Sequence, residues 1–454
     1  MTYLTPLRWM DTVMTASTEP TDKRSLRRAF VASLSGTTLE YYDFAAYSVA
    51  AATLFGKLFF PSGDSLAGTM AAFSTYAVGY LARPLGGFIF GRLGDKLGRK
   101  QVLVFTLLLT GIATFLIGIL PTHAAIGGWA AVLLVALRFA QGVGVGGEWG
   151  GAVLLSSEFG DPKKRGFWAS AAQIGPPAGN LLANGVIALL AAVMTTAAFE
   201  SWGWRIAFLL SGVLVLFGLW LRMKLEETPV FKKIAEQGEK PKAPIKEVFT
   251  QEPRALIAGI LIRICPDVLY SLFTVFVLTY MTSELGMSRS QGLTAVMIGS
   301  AFQLFLMPAA GALSDRVSRR KLYAIGTIAA GVWPFLFFPL AGTKSYLAIA
   351  VGMVVALAIH ALLYGPQAAM ITEQFTERLR YTGSSLAYTL AGVVGGAVAP
   401  LIFTALLDAY DSWFAVALYV LVTAIVTGIG VALSRRAPEE QPVVTSADTV
   451  EVAR

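Results

Sequence analysis

Seven ionisable residues interrupt long apolar stretches of this 454-residue chain. An ionisable side chain in the middle of a hydrocarbon-embedded helix costs about 2.5–3.5 kcal/mol on insertion scales. Such residues persist where they pair with one another or face water, so they mark candidate sites of chemistry. They are Glu40, Asp43, Arg83, Arg138, Glu148, Arg263 and Asp267.

Helical spacing places most of these charges on shared polar faces. Residues three, four, seven or ten positions apart on a helix point in similar directions. A polar face on an otherwise apolar helix is predicted to line a central cavity. Four acids against three arginines would leave such a shared cavity with an excess negative charge, so that an anion would enter only with a proton. The groups are Glu40 with Asp43 and Tyr47, Arg138 with Gln141 and Glu148, and Arg263 with Asp267 and Tyr270.

Arginines and buried carboxylates suit two different tasks. A guanidinium binds a carboxylate through two parallel hydrogen bonds, which favours an organic-acid ligand. A buried carboxyl group takes up a proton more readily than one in water, which favours proton coupling. The predicted carboxylate contacts are Arg83, Arg138 and Arg263, and the predicted proton site is Asp43, followed by Glu40 and Glu148.

Further polar and aromatic residues in the same stretches are predicted to contact the ligand. The alternative for the charged residues is structural: Arg263 and Asp267, one turn apart, form a local salt bridge. Arg138 and Glu148 are too far apart to pair directly and would each need another partner. The further contact candidates are Tyr42, Gln141, Trp149, Gln173, Asn180, Asp267, Tyr270, Gln367 and Tyr388.

The elements that must position these residues are membrane-spanning helices. The chain is 55% hydrophobic and 14% charged, against about 25% charged in soluble domains. Its mean hydropathy is +0.64. No metal cluster, nucleotide-binding loop or cofactor motif is present, so we expect no enzyme, no cofactor and no ATP-driven pump. Twelve spans are predicted at residues 29–54, 67–91, 101–120, 128–155, 167–193, 203–222, 255–282, 290–313, 322–341, 345–372, 382–407 and 411–433.

Lysine and arginine placement predicts the orientation. Most of the 36 basic residues fall before the first span, after the last, and in the even-numbered loops. The opposite side holds Lys57, Arg205, Arg289 and Lys344. Both termini are therefore predicted to be cytoplasmic. The net charge of +8 then reflects topology, and no nucleic-acid partner is expected.

The chain also repeats itself. A charged loop at 91–100 recurs at 311–320, and a Glu-x6-Arg pair after the fourth span recurs after the tenth. Two parallel six-helix halves follow, an arrangement known among transporters. Charge pairs between moving halves can stabilise one state and break in another, although loop anchoring is the simpler role. The predicted cytoplasmic gate comprises Asp95, Arg99, Glu158, Arg165, Asp315, Arg319, Glu373 and Arg380.

These residues resemble the major facilitator superfamily. Its loop motif G-x-L-x-D-x-x-G-R-K matches Gly91 through Lys100. The stretches 36–44, 81–87, 141–151, 201–205 and 364–385 resemble the metabolite:proton symporter branch, most closely shikimate- and α-ketoglutarate-type carriers. One departure is Tyr41, where many relatives carry Trp. The resemblance implies a carrier that works as a monomer among lipids in a bacterial inner membrane.

We therefore predict an all-α, twelve-helix protein that imports a small organic acid, such as shikimate, with protons by alternating access, powered by the proton gradient. The alternatives are a betaine/proline-type carrier of a zwitterion and an efflux antiporter of an amphipathic compound. The predicted divisions are a cytoplasmic segment 1–28, a six-helix bundle 29–223, a cytoplasmic linker 224–254, a second bundle 255–433 and a cytoplasmic tail 434–454.

Overall fold

The computed structural model describes residues 23–61, 65–237 and 244–435. Most of the predicted terminal segments, and 238–243 of the predicted linker, lie outside these residues. Within them the prediction of twelve long helices in two halves is confirmed. Nine of these helices are long and apolar enough to cross a membrane by length and composition; the first, second and fifth are the others.

The helices are counted here in chain order. The first half contains Lys23–Ala50 continued by Ala51–Phe55 and Gly56–Phe59, then Ser65–Leu97, Arg99–Ile119, Trp129–Phe159, Arg165–Gln173 continued by Gly175–Val193, and Thr196–Ala198 continued by Phe199–Gly203 and Trp204–Met223. The second half contains Pro253–Ser271 continued by Leu272–Phe276 and Val277–Ser283, then Arg289–Ser314, Arg319–Gly342, Tyr346–Thr372, Arg380–Gly392 continued by Val393–Ala397 and Ala399–Tyr410, and Trp413–Leu433. Short helices Pro229–Glu236 and Pro244–Gln251 lie between the halves.

One pair of π-helical turns occupies equivalent positions in the two halves. The first and seventh helices each contain a π-helical turn, at Ala51–Phe55 and Leu272–Phe276, which are equivalent positions about half a chain apart. Single π-helical turns inside α-helices are frequent at functional sites. The fifth helix breaks after Gln173, just before two consecutive prolines, because proline lacks the N–H that would continue the ladder.

Both ends of the described chain lie on one face, which we call the basic face. The backbone N–H of Arg435 donates to Gln374 after the tenth helix (2.7 Å). The Phe30 ring near the start of the first helix stacks on Phe167 at the start of the fifth (5.7 Å). The two halves meet through helix 2 against helix 11 and helix 5 against helix 8.

Helices 2 and 4 contact backbone to backbone through glycines. A Cβ added at Gly142 would clash with the carbonyl of Gly79, and one at Gly146 with the carbonyl of Arg83. Small residues permit this close approach between membrane helices. The contact fixes helix 2, which carries Arg83, against helix 4, which carries Arg138.

We expect Gly146→Leu to separate helices 2 and 4 and to reduce the yield of folded protein several-fold, because the clash is with backbone. Gly428→Leu is the matched control, since nothing lies within 4 Å of a Cβ built at Gly428. Size-exclusion chromatography in detergent and thermal unfolding measure both. A Gly146→Leu protein with the yield and Tm of the control would contradict this packing.

Candidate functional site

Two connected spaces lie between the halves. A central void of about 50 Å³ is lined by Arg83 of helix 2 and by Arg263 and Asp267 of helix 7. A larger cavity of about 460 Å³ extends from it towards the face opposite the basic face. The walls shared by both spaces are the rings of Tyr41, Tyr80 and Tyr270.

Arg83 lines the central void with a guanidinium whose hydrogen-bond donors are only partly satisfied by the described residues. Its side chain is 2% exposed, and the guanidinium lies over the rings of Phe44 (4.3 Å) and Tyr80 (4.0 Å). Its Nε and Nη2 atoms have no hydrogen-bond partner among the described residues. Glu40 lies within electrostatic reach, and its Oε2 likewise has no partner within the described chain. This fork is therefore a pair of buried donors that the described residues leave unsatisfied.

Arg263 is already engaged. Its Nε lies 2.8 Å from Oδ2 of Asp267, and its Nη1 donates to the carbonyl oxygen of Tyr388 (2.5 Å). The guanidinium also lies 3.1 Å from the centre of the Tyr388 ring. The local salt bridge, which the spacing left as an alternative, is thus present, and Arg263 contributes less free charge to the void than Arg83 does.

Asp43 belongs to a polar network inside the first half. The Thr114 hydroxyl donates to Oδ2 of Asp43 (2.7 Å), and the Gln141 amide donates to that hydroxyl (2.5 Å). The Gln141 Oε1 accepts from Nη1 of Arg138 (2.9 Å). Asp43 Oδ1 has no partner within the described residues. Asp43 and Arg138 therefore lie apart from the central void.

Glu148 pairs with a residue that sequence reasoning missed. Arg222 at the end of helix 6 donates to both carboxylate oxygens of Glu148, and the Thr106 hydroxyl donates to Oε2 (2.8 Å). Arg222 is the last residue of the sixth predicted span, yet it is 1% exposed and turned inwards. The only indication of Arg222 in the sequence was that Glu148 lies too far from Arg138 and needs another partner.

The expectation of one shared cavity with excess negative charge is therefore wrong. Asp43 is linked to Arg138, Glu148 pairs with Arg222, and Arg263 pairs with Asp267. Glu40, Asp43 and Glu148 line a second void of about 10 Å³, apart from the central void that Arg83, Arg263 and Asp267 line. Arg222 adds a fourth buried arginine, so the acids and arginines balance. The reason is physical: each charge in a low-dielectric interior is compensated locally.

Other predicted contact residues connect the two halves around the void. The Asn180 amide of helix 5 donates to the Tyr270 hydroxyl of helix 7 (3.0 Å). The Trp149 ring stacks on Tyr388 of helix 11 at 3.8 Å, and its N–H donates to Gln173 (2.8 Å). The Gln173 amide in turn donates to the carbonyl oxygen of Tyr364 in the second half (2.9 Å). These five contact candidates thus hold the halves together beside the void.

Besides Arg138 and Gln141, two more predicted contacts are placed elsewhere. The Tyr42 hydroxyl donates to the carbonyl oxygen of Ala207 (2.7 Å) on helix 6, because one residue along a helix turns the side chain by about 100° from Tyr41. The Gln367 amide donates to the Tyr323 hydroxyl (3.2 Å) inside the second half. Neither side chain lines the central void. The void residues that the predicted set lacked are Tyr41, Tyr80, Pro176, Ser271, His360, Tyr364 and Gly396.

The repeated loops close the basic face with two symmetry-related carboxylates. Oδ2 of Asp95 accepts from the N–H (3.0 Å) and the hydroxyl (2.6 Å) of Thr382, in the first turn of helix 11. Asp315 accepts from the N–H groups of Gly166 (2.7 Å) and Phe167 (2.8 Å), in the first turn of helix 5. Each carboxylate therefore binds the positive end of a helix in the other half. We call these two contacts the helix clasps.

The remaining gate residues surround the helix clasps. Glu373 is contacted by Arg319 of its own half and by Arg165 of the other half (3.8 Å). Glu158 lies 3.6 Å from Arg99. Arg380 lies within electrostatic reach of Glu158. The pairing thus crosses between halves instead of joining the residues seven apart in sequence.

The arrangement defines a closed basic face and a cavity on the opposite side. The chain matches the Sugar (and other) transporter family over residues 28–243 and the Major Facilitator Superfamily over 267–451. It is 39% identical to the Inner membrane metabolite transport protein YhjE of Escherichia coli, covering 85% of this chain and 88% of that one. It is also 39% identical to the Escherichia coli Shikimate transporter, covering 89% and 93%.

A solved structure of the proton:xylose symporter XylE shares the fold, with a TM-score of 0.75, 16% identity, and coverage of 90% of this chain and 95% of that one. The chain belongs to the major facilitator superfamily. It is a multi-pass transporter of small metabolites in the bacterial inner membrane, and it is not an enzyme.

Replacing both clasp carboxylates, as Asp95→Ala with Asp315→Ala, should loosen the basic face. Charge-assisted hydrogen bonds are about twice as strong as neutral ones, so their loss should raise thiol labelling at a buried interface position on the order of tenfold. Ser385→Cys supplies that position, because Ser385 is fully buried where helix 11 packs on Gly150 of helix 4.

Glu226→Ala is the matched control, since Glu226 pairs with Lys232 at the exposed surface (2.9 Å). Labelling is measured with a membrane-impermeant thiol reagent in detergent. Equal labelling rates in the double substitution and the control would show that the clasps do not hold the basic face closed.

Proposed function

We propose that this transporter imports a small organic acid together with protons by alternating access, with the basic face in the cytoplasm. The charge asymmetry of the loops supports that orientation. Both described ends of the chain lie on the basic face, as cytoplasmic termini require. The state described above is then outward-facing, since the halves are joined by the helix clasps at the cytoplasmic side.

The organic-acid assignment rests on the guanidinium of Arg83, whose Nε and Nη2 donors are unsatisfied. It is buried, it lines the void between the halves, and two of its donor nitrogens have no partner among the described residues. A carboxylate is the group whose two oxygens match these donors. The 39% identity to the Shikimate transporter supports a hydroxylated cyclic acid as cargo.

Proton coupling is assigned to Asp43 and its network. Arg138 compensates Asp43 through Gln141 and Thr114, so protonation of Asp43 would release Arg138 from that charge. The Arg138 guanidinium lies 4.1 Å from the centre of the Phe44 ring, and Arg83 lies 4.3 Å from the same ring. Phe44 is adjacent to Asp43 in the first helix. A change at the proton site can therefore reach the substrate arginine through one aromatic ring.

Glu40 favours a second candidate, a carrier of a zwitterion. Glu40 lines a second void of about 10 Å³ within electrostatic reach of Arg83, and its Oε2 has no partner in the described chain. Its charge could compensate a cationic ammonium group while Arg83 held the carboxylate. Asp267 is less suited to that role because Arg263 neutralises it. Uptake of betaine and proline therefore belongs in the transport assay beside the simple carboxylates.

Arg83→Lys should abolish carboxylate uptake or raise the KM by at least about tenfold, because lysine cannot offer the planar fork. Uptake of labelled shikimate, α-ketoglutarate, betaine and proline into proteoliposomes, with and without a pH gradient, measures it. Arg92→Lys is the control, since Arg92 is exposed on the basic face. Wild-type protein that moves none of the carboxylates would refute the organic-acid assignment.

Asp43→Asn should abolish uptake driven by a pH gradient and leave part of the substrate exchange, because the amide cannot cycle a proton. Counterflow and gradient-driven uptake, assayed side by side in proteoliposomes, separate the two activities. Asp408→Asn serves as control, being exposed near the end of helix 11. Normal pH dependence of uptake in Asp43→Asn would rule out Asp43 as the coupling site.

A further inference from the structure

His360 of helix 10 is a buried polar side chain that the transport mechanism has not used. It lines the central void and is 1% exposed. Its imidazole packs against the rings of Tyr364 (centroids 4.9 Å apart, 24° between planes) and Tyr270 (5.1 Å, 38°). Two aromatic rings therefore pack against the imidazole.

The contacts of Gln303 determine which imidazole nitrogen carries the hydrogen. The Gln303 amide nitrogen donates to the carbonyl oxygen of Leu357 (3.0 Å) and lies 2.9 Å from Nδ1 of His360. A carbonyl oxygen can only accept, so the amide nitrogen must be the atom on this side. Its two hydrogens then go to Leu357 and to Nδ1. Nδ1 accepts, and the neutral imidazole carries its hydrogen on Nε2.

The Nε2–H group has no acceptor among the described residues. His360 lines the void, and its Nε2–H is the donor of this ring that the described residues leave unsatisfied. A buried donor without an acceptor is unfavourable, and a cargo that supplies the acceptor removes that penalty. The carboxylate of the cargo is better matched by Arg83, because a charge-assisted pair is stronger than a neutral one.

We propose that His360 is a specificity-determining residue: its Nε2–H donates to an uncharged oxygen of the cargo, a hydroxyl or a carbonyl, while Arg83 binds the carboxylate. The transporter then selects hydroxy or oxo acids over acids that carry no second oxygen function. This inference rests on the proposed import of organic acids. It adds a second fixed contact, which determines which acids are accepted.

The test compares two acids that share a ring and a carboxylate. Uptake of shikimate and of cyclohex-1-ene-1-carboxylate, which lacks the three hydroxyls, is measured in proteoliposomes of the full chain. We expect the wild type to prefer shikimate in kcat/KM by about tenfold or more. His360→Phe keeps an aromatic ring beside the two tyrosines. It should bring the ratio of the two kcat/KM values close to one, with little change in kcat/KM for the acid without hydroxyls.

His360→Gln restores an N–H donor and should recover part of the preference. His123→Phe, in the loop before helix 4, is the matched control and should keep all of it. Unchanged preference in His360→Phe, or equal loss of both acids, would overturn the role of His360. Wild-type transport of either acid tests the proposed function separately, so failure of the two hypotheses can be told apart.

Discussion

A charge inside the hydrocarbon region must be compensated by another charge, by hydrogen bonds or by the face of an aromatic ring. Here each buried arginine meets this requirement differently. Arg222 uses Glu148, Arg263 uses Asp267 and a carbonyl, and Arg138 uses a hydrogen-bonded chain that ends at Asp43. Arg83 relies on two ring faces, which leave its donor nitrogens available. The proposed binding site is therefore the place where compensation is least complete.

Much of this architecture was predictable from the sequence because the signals are local. Twelve apolar runs predict twelve helices, since each helix must satisfy its own backbone inside the bilayer. The spacing also identified a local Arg263–Asp267 salt bridge as the alternative to ligand contact, because residues i and i+4 lie one turn apart on the same helix face. Partners from different helices were beyond such reasoning. Arg222 was missed because nothing in its own neighbourhood indicates that it turns towards Glu148.

The orientation of individual side chains was the other limit. A sequence pattern locates the polar face of a helix to within about one residue. Tyr41 and Tyr42 differ by that one position. Tyr41 lines both spaces between the halves, whereas Tyr42 bonds to helix 6. The repeat likewise identified the gate residues but not their partners. Equivalence in sequence says which positions correspond, and only the packing of the two halves brings Arg165 to Glu373.

The glycine contact between helices 2 and 4 has a consequence for energy coupling. With their backbones in contact, these two helices form one closely packed unit, which carries both Arg83 and Arg138. The substrate arginine and the proton-network arginine proposed above are thus joined through the backbones of their helices, whereas the Phe44 ring that both guanidiniums contact belongs to the first helix. Under that proposal, proton and substrate sites change relative to each other when the first helix shifts against this pair of helices.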